Sequence, residues 1–268
     1  GKMSKMGHNI VGKRKSAEEN IMLTRKIEKN IRDWIKNDDR ALLLYGVRQA
    51  GKTYIIRKCL KDEGCSYVEF NLIKEPEIVT ILETSSDIDD LILKLSLYSN
   101  EKIIPGETFL FFDEIQKYKE IVTKIKFLVE DKRYRYVLSG SLLGIEIVNL
   151  KSAPVGSLRT MKLYPLDFEE FLQLFNINDK AYGLLKSAYE GRSAVDEMIH
   201  NKMLQIFNLY LIIGGMPAAV EKYRQTEQID AVIDEHQSIL EQYKLDFTQY
   251  EAENKKLLLT NIYELIPA

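Results

Sequence analysis

Gly46-Val47-Arg48-Gln49-Ala50-Gly51-Lys52-Thr53 lies between a short apolar run, Leu42 to Tyr45, and a segment with apolar residues at helical spacing, Ile55, Ile56 and Leu60. The eight residues fit G-x-x-x-x-G-K-[ST], and a strand before and a helix after are the setting that pattern requires. Its glycines let successive backbone N–H groups curl around phosphate oxygens, while Lys52 reaches the outer phosphates. Thr53 opens the helix, offering its hydroxyl to Mg²⁺ where the positive helix end faces the anion. Gly46, Val47, Arg48, Gln49, Ala50, Gly51, Lys52 and Thr53, with Tyr54 behind them, form the candidate binding set for ATP or ADP.

About sixty residues further on, Phe109 to Phe112 reads as a buried strand ending in Asp113-Glu114. Ligands of open α/β sheets bind at the carboxyl edge of the strands, where these two carboxylates emerge. Asp113 is expected to hold Mg²⁺ through water or Thr53, and Glu114 to polarise the water attacking the γ-phosphate. Alone, an acidic pair after an apolar run is an ordinary solvated strand end; the upstream loop gives it meaning. The next strand, Tyr136 to Leu138, runs into Ser139-Gly140-Ser141. Ser139 either senses the γ-phosphate or positions water, or belongs to a plain turn. Asn71 ends the strand Tyr67 to Phe70; either its amide faces Glu114 and holds it inactive, or it is a turn-forming asparagine. The catalytic candidates are thus Glu114, Lys52, Ser139 and Asn71, and the metal candidates Thr53 and Asp113.

Outward from this centre, strands alternate with helical patterns. Leu23, Ile27, Ile31, Trp34 and Ile35 mark a helix before the first strand, with Ser16 and Glu19 resembling a capping box. Ile88 to Leu97 and Ile121 to Val129 read as further helices, and Thr160 to Tyr164 as the last strand. Parallel neighbours need long crossovers, which helices supply, so residues 21–165 are expected to be an α/β domain with a mostly parallel five-stranded sheet between helices. Beyond Pro165 the strand signals stop. Phe168, Phe171, Leu172 and Phe175, then Ile229, Ile233, Ile239 and Leu240, predict a helical subdomain over 166–268, in which Gly214 and Gly215 supply positive φ at a turn before Pro217. Lys180 to Asp196 reads equally as a loop or a poor helix. Leu204, Phe207, Leu211, Val220 and Tyr223 form a stripe that faces either a partner or the subdomain's own core. Residues 1–20 are expected to be a flexible or partly foreign extension.

The 268 residues are 45% apolar and 29% charged, enough for at least one full core. A net charge of −2 gives no overall electrostatic case for nucleic acid or an anionic membrane. Cys59 and Cys65 with His8, His200 and His236 make neither a disulfide framework nor a zinc-site spacing. No apolar run approaches the ~18 residues of a membrane span, so a cytoplasmic protein is expected.

The chain resembles a prokaryotic AAA+ ATPase family whose loop reads G-x-R-Q-x-G-K-T and whose acidic motif reads D-E-I-Q, matched here by Gly46 to Thr53 and Asp113 to Gln116. Asn71, Gly140-Ser141-Leu142-Leu143, Pro154-Val155-Gly156, Tyr164 to Phe171 and Tyr210 through Gly214-Gly215-Met216-Pro217 extend the likeness over roughly residues 22 to 268. The resemblance implies an AAA+ core with a helical lid. Its members look like two-part molecules in which a winged-helix segment and a nuclease-like domain follow, and that part is expected to be missing beyond Ile266-Pro267-Ala268. Where relatives carry Gly-Arg before the last strand this chain has Gly156-Ser157, with Arg159 two residues on, so no arginine finger is assigned. Arg133 and Arg135 are candidates to act on a neighbouring subunit, against the simpler reading of a solvated turn. Three functions are compatible with this sequence: Mg²⁺-dependent ATP hydrolysis driving a conformational change, a nucleotide-gated switch with little turnover, and a nucleic-acid-directed regulator. A homo-oligomer, a protein partner and nucleic acid are all left open by the sequence.

Overall fold

The computed structural model describes residues 23–118, 120–141, 156–175, 177, 179–250 and 261. The Ser16–Glu19 box, Leu142-Leu143 and Pro154-Val155 lie outside them. The described residues divide into two compact units, Arg25–Tyr164 and a second built from those from Pro165 onward together with Leu23 and Thr24.

The first unit runs α1 (Ile27–Asn37), β1 (Ala41–Gly46), α2 (Lys52–Asp62), β2 (Ser66–Asn71), α3 (Pro76–Thr84), α4 (Ile88–Ser99), β3 (Thr108–Asp113), a 3₁₀ turn (Ile115–Lys117), α5 (Ile121–Glu130), β4 (Arg135–Ser141) and β5 (Leu158–Leu163). The five strands lie in the order β2-β3-β4-β1-β5, and every pairing is parallel. Side chains alternate across a strand, so each apolar run feeds two cores. Leu42, Leu44, Phe109, Phe111 and Val137 pack with Ile31 and Trp34 of α1 and Ile55 and Ile56 of α2. Leu43, Phe70, Leu110, Phe112 and Leu138 meet Ile78, Leu82, Leu91, Leu95, Ile121 and Ile125 of α3, α4 and α5. The α/β sandwich expected from the alternation is the one observed, with α3 added.

Lys132 to Arg135 is the turn entering a strand expected here, but Arg135, which opens β4, is half-buried rather than solvated. Its guanidinium lies 4.9 Å from the Trp34 ring centre and 4.6 Å from that of Phe109. It donates to the carbonyls of Ile35 (2.6 Å), Trp34 (3.0 Å) and Asp38 (2.6 Å). These acceptors are the end of α1, where the carbonyl of Ile35 lies past the last helical bond, the one from the Asp38 N–H to Trp34 at 3.1 Å. At the other end, buried Glu28 accepts from the backbone N–H of Arg25 at 2.9 Å and from Lys58 of α2, binding α1 to the helix that carries the loop.

In the second unit, α6 (Phe168–Leu172) precedes a 3₁₀ turn (Gln173–Phe175), α7 (Asp179–Glu190), α8 (Glu197–Ile213), α9 (Pro217–Thr226) and α10 (Ile229–Tyr250). Asp167 and Glu170 make a reciprocal capping box at the start of α6. The Leu166 N–H donates to the Gly215 carbonyl at 2.7 Å, and the Tyr210 hydroxyl to the Leu166 carbonyl at 2.9 Å. A Cβ on Gly215 would come within 2.1 Å of that Leu166 oxygen, so this glycine serves closeness. Only Gly214, at φ 71°, supplies the positive dihedral expected of both. Of the α8–α9 stripe, Val220 and Tyr223 are core, whereas Leu204, Phe207 and Leu211 are exposed. The stretch left open between loop and helix is α7 up to Glu190. Among the described residues no single helix is long and apolar enough to cross a membrane; α8 and α9 pass together on composition, bent by 119°.

Candidate functional site

All five parallel strands end at one edge of the first unit's sheet. β1 enters the loop at Gly46, which pairs in register with Ser141 of β4 on one side and Leu163 of β5 on the other. Asn71 of β2 is level with Asp113 of β3, and Phe112 with Leu138, which sets Ser139 beside Asp113. The chemistry-bearing residues, 42 to 60 positions apart in places, meet because strand order brings their ends together.

The loop uses its two glycines differently. A Cβ on Gly46 would lie 2.2 Å from the Leu163 carbonyl oxygen, so the close approach of β5 demands glycine. Gly51 has open space around it but sits at φ 92°, and Gln49 is also left-handed at φ 62°. Alternating such conformations turn successive N–H groups to one side, making an anion-sized nest. Ile55 is the first residue of α2 whose N–H closes a helical bond, 3.0 Å to the Gly51 carbonyl. The amides of Lys52, Thr53 and Tyr54 precede it and have no acceptor within the helix, so they offer donors to an anion at its positive end. This backbone group is what Tyr54 offers to the expected binding set. Its ring is half-exposed on the flank of α2, near the charges of Lys58 and Glu28. Val47 packs at the margin of the core and Ala50 is fully buried, while the Arg48 and Gln49 side chains are half-buried.

Lys52 is buried, and its ammonium donates to the carbonyls of Val47 (2.9 Å) and Gly46 (3.2 Å). Burial pushes its pKa down, opposed by the nearby Glu114 and Asp113 carboxylates. Asp113, also buried, accepts from the Thr53 hydroxyl at 2.8 Å across the loop and from the hydroxyl of Ser139. Hard oxygens from a hydroxyl and a carboxylate are the donor type that suits Mg²⁺, so Thr53 and Asp113 fit the metal expected here.

Two expectations change. Asn71 faces Asp113, not Glu114: its amide donates to the Asp113 carboxylate at 3.3 Å, and its carbonyl accepts from the N–H groups of Ile73 (3.1 Å) and Lys74 (3.0 Å). It is both a turn former and a prop for Asp113. Ser139 does not lie in a turn; it is inside β4, fully buried, with its hydroxyl committed to Asp113, so it positions a carboxylate rather than a water. Glu114 is half-buried in the left-handed conformation (φ 58°, ψ 43°), and its carboxylate accepts from the side-chain amide of Gln116. The arginines weighed as fingers are engaged within the unit: Arg133 with Asp131 (2.7 Å) and Asp89 (2.6 Å), Arg159 with Asp38 (3.6 Å).

A sequence-family profile described as AAA domain matches residues 38–172, from the end of α1 to the end of α6. No curated relative matches the sequence. Among solved structures, the Walker-type ATPase PABY2304 of Pyrococcus abyssi is similar at 15% identity, over 96% of this chain and 79% of that one, with a TM-score of 0.47. The ORC1 protein of Aeropyrum pernix, solved in complex with DNA, is similar at 13% identity over 93% and 75%, with a TM-score of 0.38. With the profile spanning just over half of the chain, and the loop and acidic strand end it contains joined through Thr53 and Asp113, this protein belongs to the AAA domain family of P-loop ATPases.

Proposed function

We propose that this chain binds Mg·ATP at the Gly46–Thr53 loop and hydrolyses it, using the cycle to drive or reset a conformational change. The observation that carries the reading is the 2.8 Å bond from Thr53 to Asp113, because it joins the loop to the acidic strand end with Glu114 next in sequence. The loop amides and Lys52 bind the β- and γ-phosphates; Lys52 exchanges the Gly46 and Val47 carbonyls for phosphate oxygens. Thr53 and Asp113 hold Mg²⁺, which neutralises charge developing on the phosphates. Asn71 and Ser139 keep the Asp113 carboxylate turned towards Thr53. Glu114 accepts a proton from the attacking water as its oxygen bonds to the γ-phosphorus; the bond from that phosphorus to the bridging oxygen breaks, leaving ADP and phosphate.

The engagement of Arg133 and Arg159 by local carboxylates supports a second reading, a nucleotide-gated switch whose turnover waits for a partner or a second copy of the chain. Steady-state phosphate release beside Glu114→Gln, with nucleotide binding to Lys52→Ala as the occupancy control, separates the two. Hydrolysis lowered roughly 10²- to 10⁴-fold in Glu114→Gln with ATP still bound supports the hydrolase. Tight binding without release supports the switch, and wild-type protein that binds no nucleotide ends both.

A further inference from the structure

We propose that Gln116 is the positioning residue of Glu114, aiming its carboxylate and tying it to the end of β4; this rests on Glu114 being the base. The backbone makes the arrangement. Glu114 leaves β3 in a left-handed conformation that non-glycine residues seldom adopt, and strain of that kind persists only where the surroundings enforce it. The turn it starts, Ile115–Lys117, sinks Ile115 into the core and brings Gln116 back beside Glu114.

Gln116 is itself 7% exposed, and both ends of its amide are used. Its carbonyl accepts from the Ser141 N–H at 3.3 Å, and its NH₂ donates to the Glu114 carboxylate. The partners have opposite demands: an N–H meets only the amide oxygen, and a carboxylate only the NH₂. The amide therefore has one orientation and acts as a strut. Its far end is the last residue of β4, which pairs in register with Gly46, the first residue of the phosphate loop. Movement of the Ser141 peptide is thereby passed to Glu114. Asn71, the amide at the end of β2, is committed to Asp113.

Two variants separate aiming from mere support. Gln116→Met keeps the length and buried volume but neither donates nor accepts. Gln116→Glu keeps the acceptor for Ser141 and sets a carboxylate against Glu114. Both are expected to lower kcat roughly 10- to 10²-fold with the Kd for Mg·ATP unchanged, the size of effect that follows from misplacing a reacting group by about 1 Å. Added to Glu114→Gln, Gln116→Met is expected to cost nothing further, because residues that act as a unit are not additive. A wild-type kcat in Gln116→Glu, or losses that multiply in the double variant, would overturn the inference by reducing Gln116 to a support for β4. Failure of the base assignment looks different: Glu114→Gln would then turn over normally. Crystal structures of the wild type and Gln116→Met give a readout independent of rate, in which a displaced Glu114 carboxylate supports the inference and an unmoved one refutes it.

Discussion

The two glycines of the phosphate loop give a test in which one pair of substitutions is expected to rank oppositely at two sites five residues apart. At Gly46 the obstacle is space: a Cβ would lie 2.2 Å from the backbone oxygen of Leu163, where ordinary contacts begin near 3.4 Å. Relief requires β1 and β5 to separate by about 1 Å at the residue pair Gly46–Leu163, so Gly46→Ala is expected to cost about 1–3 kcal/mol, as overpacking does. The larger Gly46→Asn should cost at least as much. At Gly51 nothing lies within 4 Å of a new Cβ, and the obstacle is φ 92°. Gly51→Ala is therefore expected to cost about 1–2 kcal/mol, and Gly51→Asn less, because a short polar side chain tolerates the left-handed region. Urea unfolding midpoints of the four variants without nucleotide provide the measurement. Asparagine outranking alanine at both positions, or Gly46→Ala as stable as wild type, would refute the distinction.

Lys52 leads to a pH dependence with opposite signs for stability and binding. Burial lowers its pKa from the ordinary 10.5, so between the lowered value and 10.5 the unfolded chain holds more protons, and the nucleotide-free protein gains stability as pH rises through that window. ATP affinity, which needs the charged amine, is expected to fall over the same window; a calorimetric Kd as flat in wild type as in Lys52→Met from about pH 7 to 10 would contradict this. The Tyr136 hydroxyl is buried in the core with no hydrogen-bond partner among the described residues, so Tyr136→Phe should be neutral or stabilise by about 1 kcal/mol in urea unfolding, and a comparable loss would reveal a hidden partner. Burial also pushes the Cys59 thiol up to about 11, with the Glu28 carboxylate adding to the rise against Arg32 and Lys58. A thiol reagent near neutral pH should therefore reach it only after unfolding; prompt labelling of Cys59 in the native protein would show that α2 opens.

The sheet was legible because its strands are apolar on both faces: Leu42 to Leu44 and Phe109 to Phe112 each supply both cores, and such runs between turn residues can hardly be anything else. Reading by apolarity stops where a strand stays buried but turns polar. Tyr136 to Leu138 seemed to end at Leu138, whereas β4 continues through Ser139, Gly140 and Ser141, all buried and paired with β1. The same limit hid α3, whose short pattern buries Ile78 and Leu82 fully and Val79 and Ile81 in part, and α7, where Gly183 interrupts a weakly apolar segment.

At the candidate site the motifs named the residues and left their partners open, because hydrogen-bond partners depend on strand order and register, which no local pattern contains. Once β2, β3 and β4 are adjacent, Asn71 level with Asp113 and Phe112 level with Leu138 bring an amide and a hydroxyl to the same carboxylate. Asn71 is then turned towards Asp113, and its own carbonyl is held by the Ile73 and Lys74 amides, which fixes the orientation of the side chain. Arg135 shows the same limit in a basic residue: two positions from Arg133 in sequence, it is separated from it in role because Trp34, Phe109 and the end of α1 lie within its reach. Gln116 was visible as a letter of the acidic motif, yet its significance depends on a backbone angle at Glu114 and a peptide at the far end of β4. Under the proposed function, chemistry at this edge thus divides between residues that would touch the phosphates, which motifs select, and residues that would aim them, which only the register of neighbouring strands exposes.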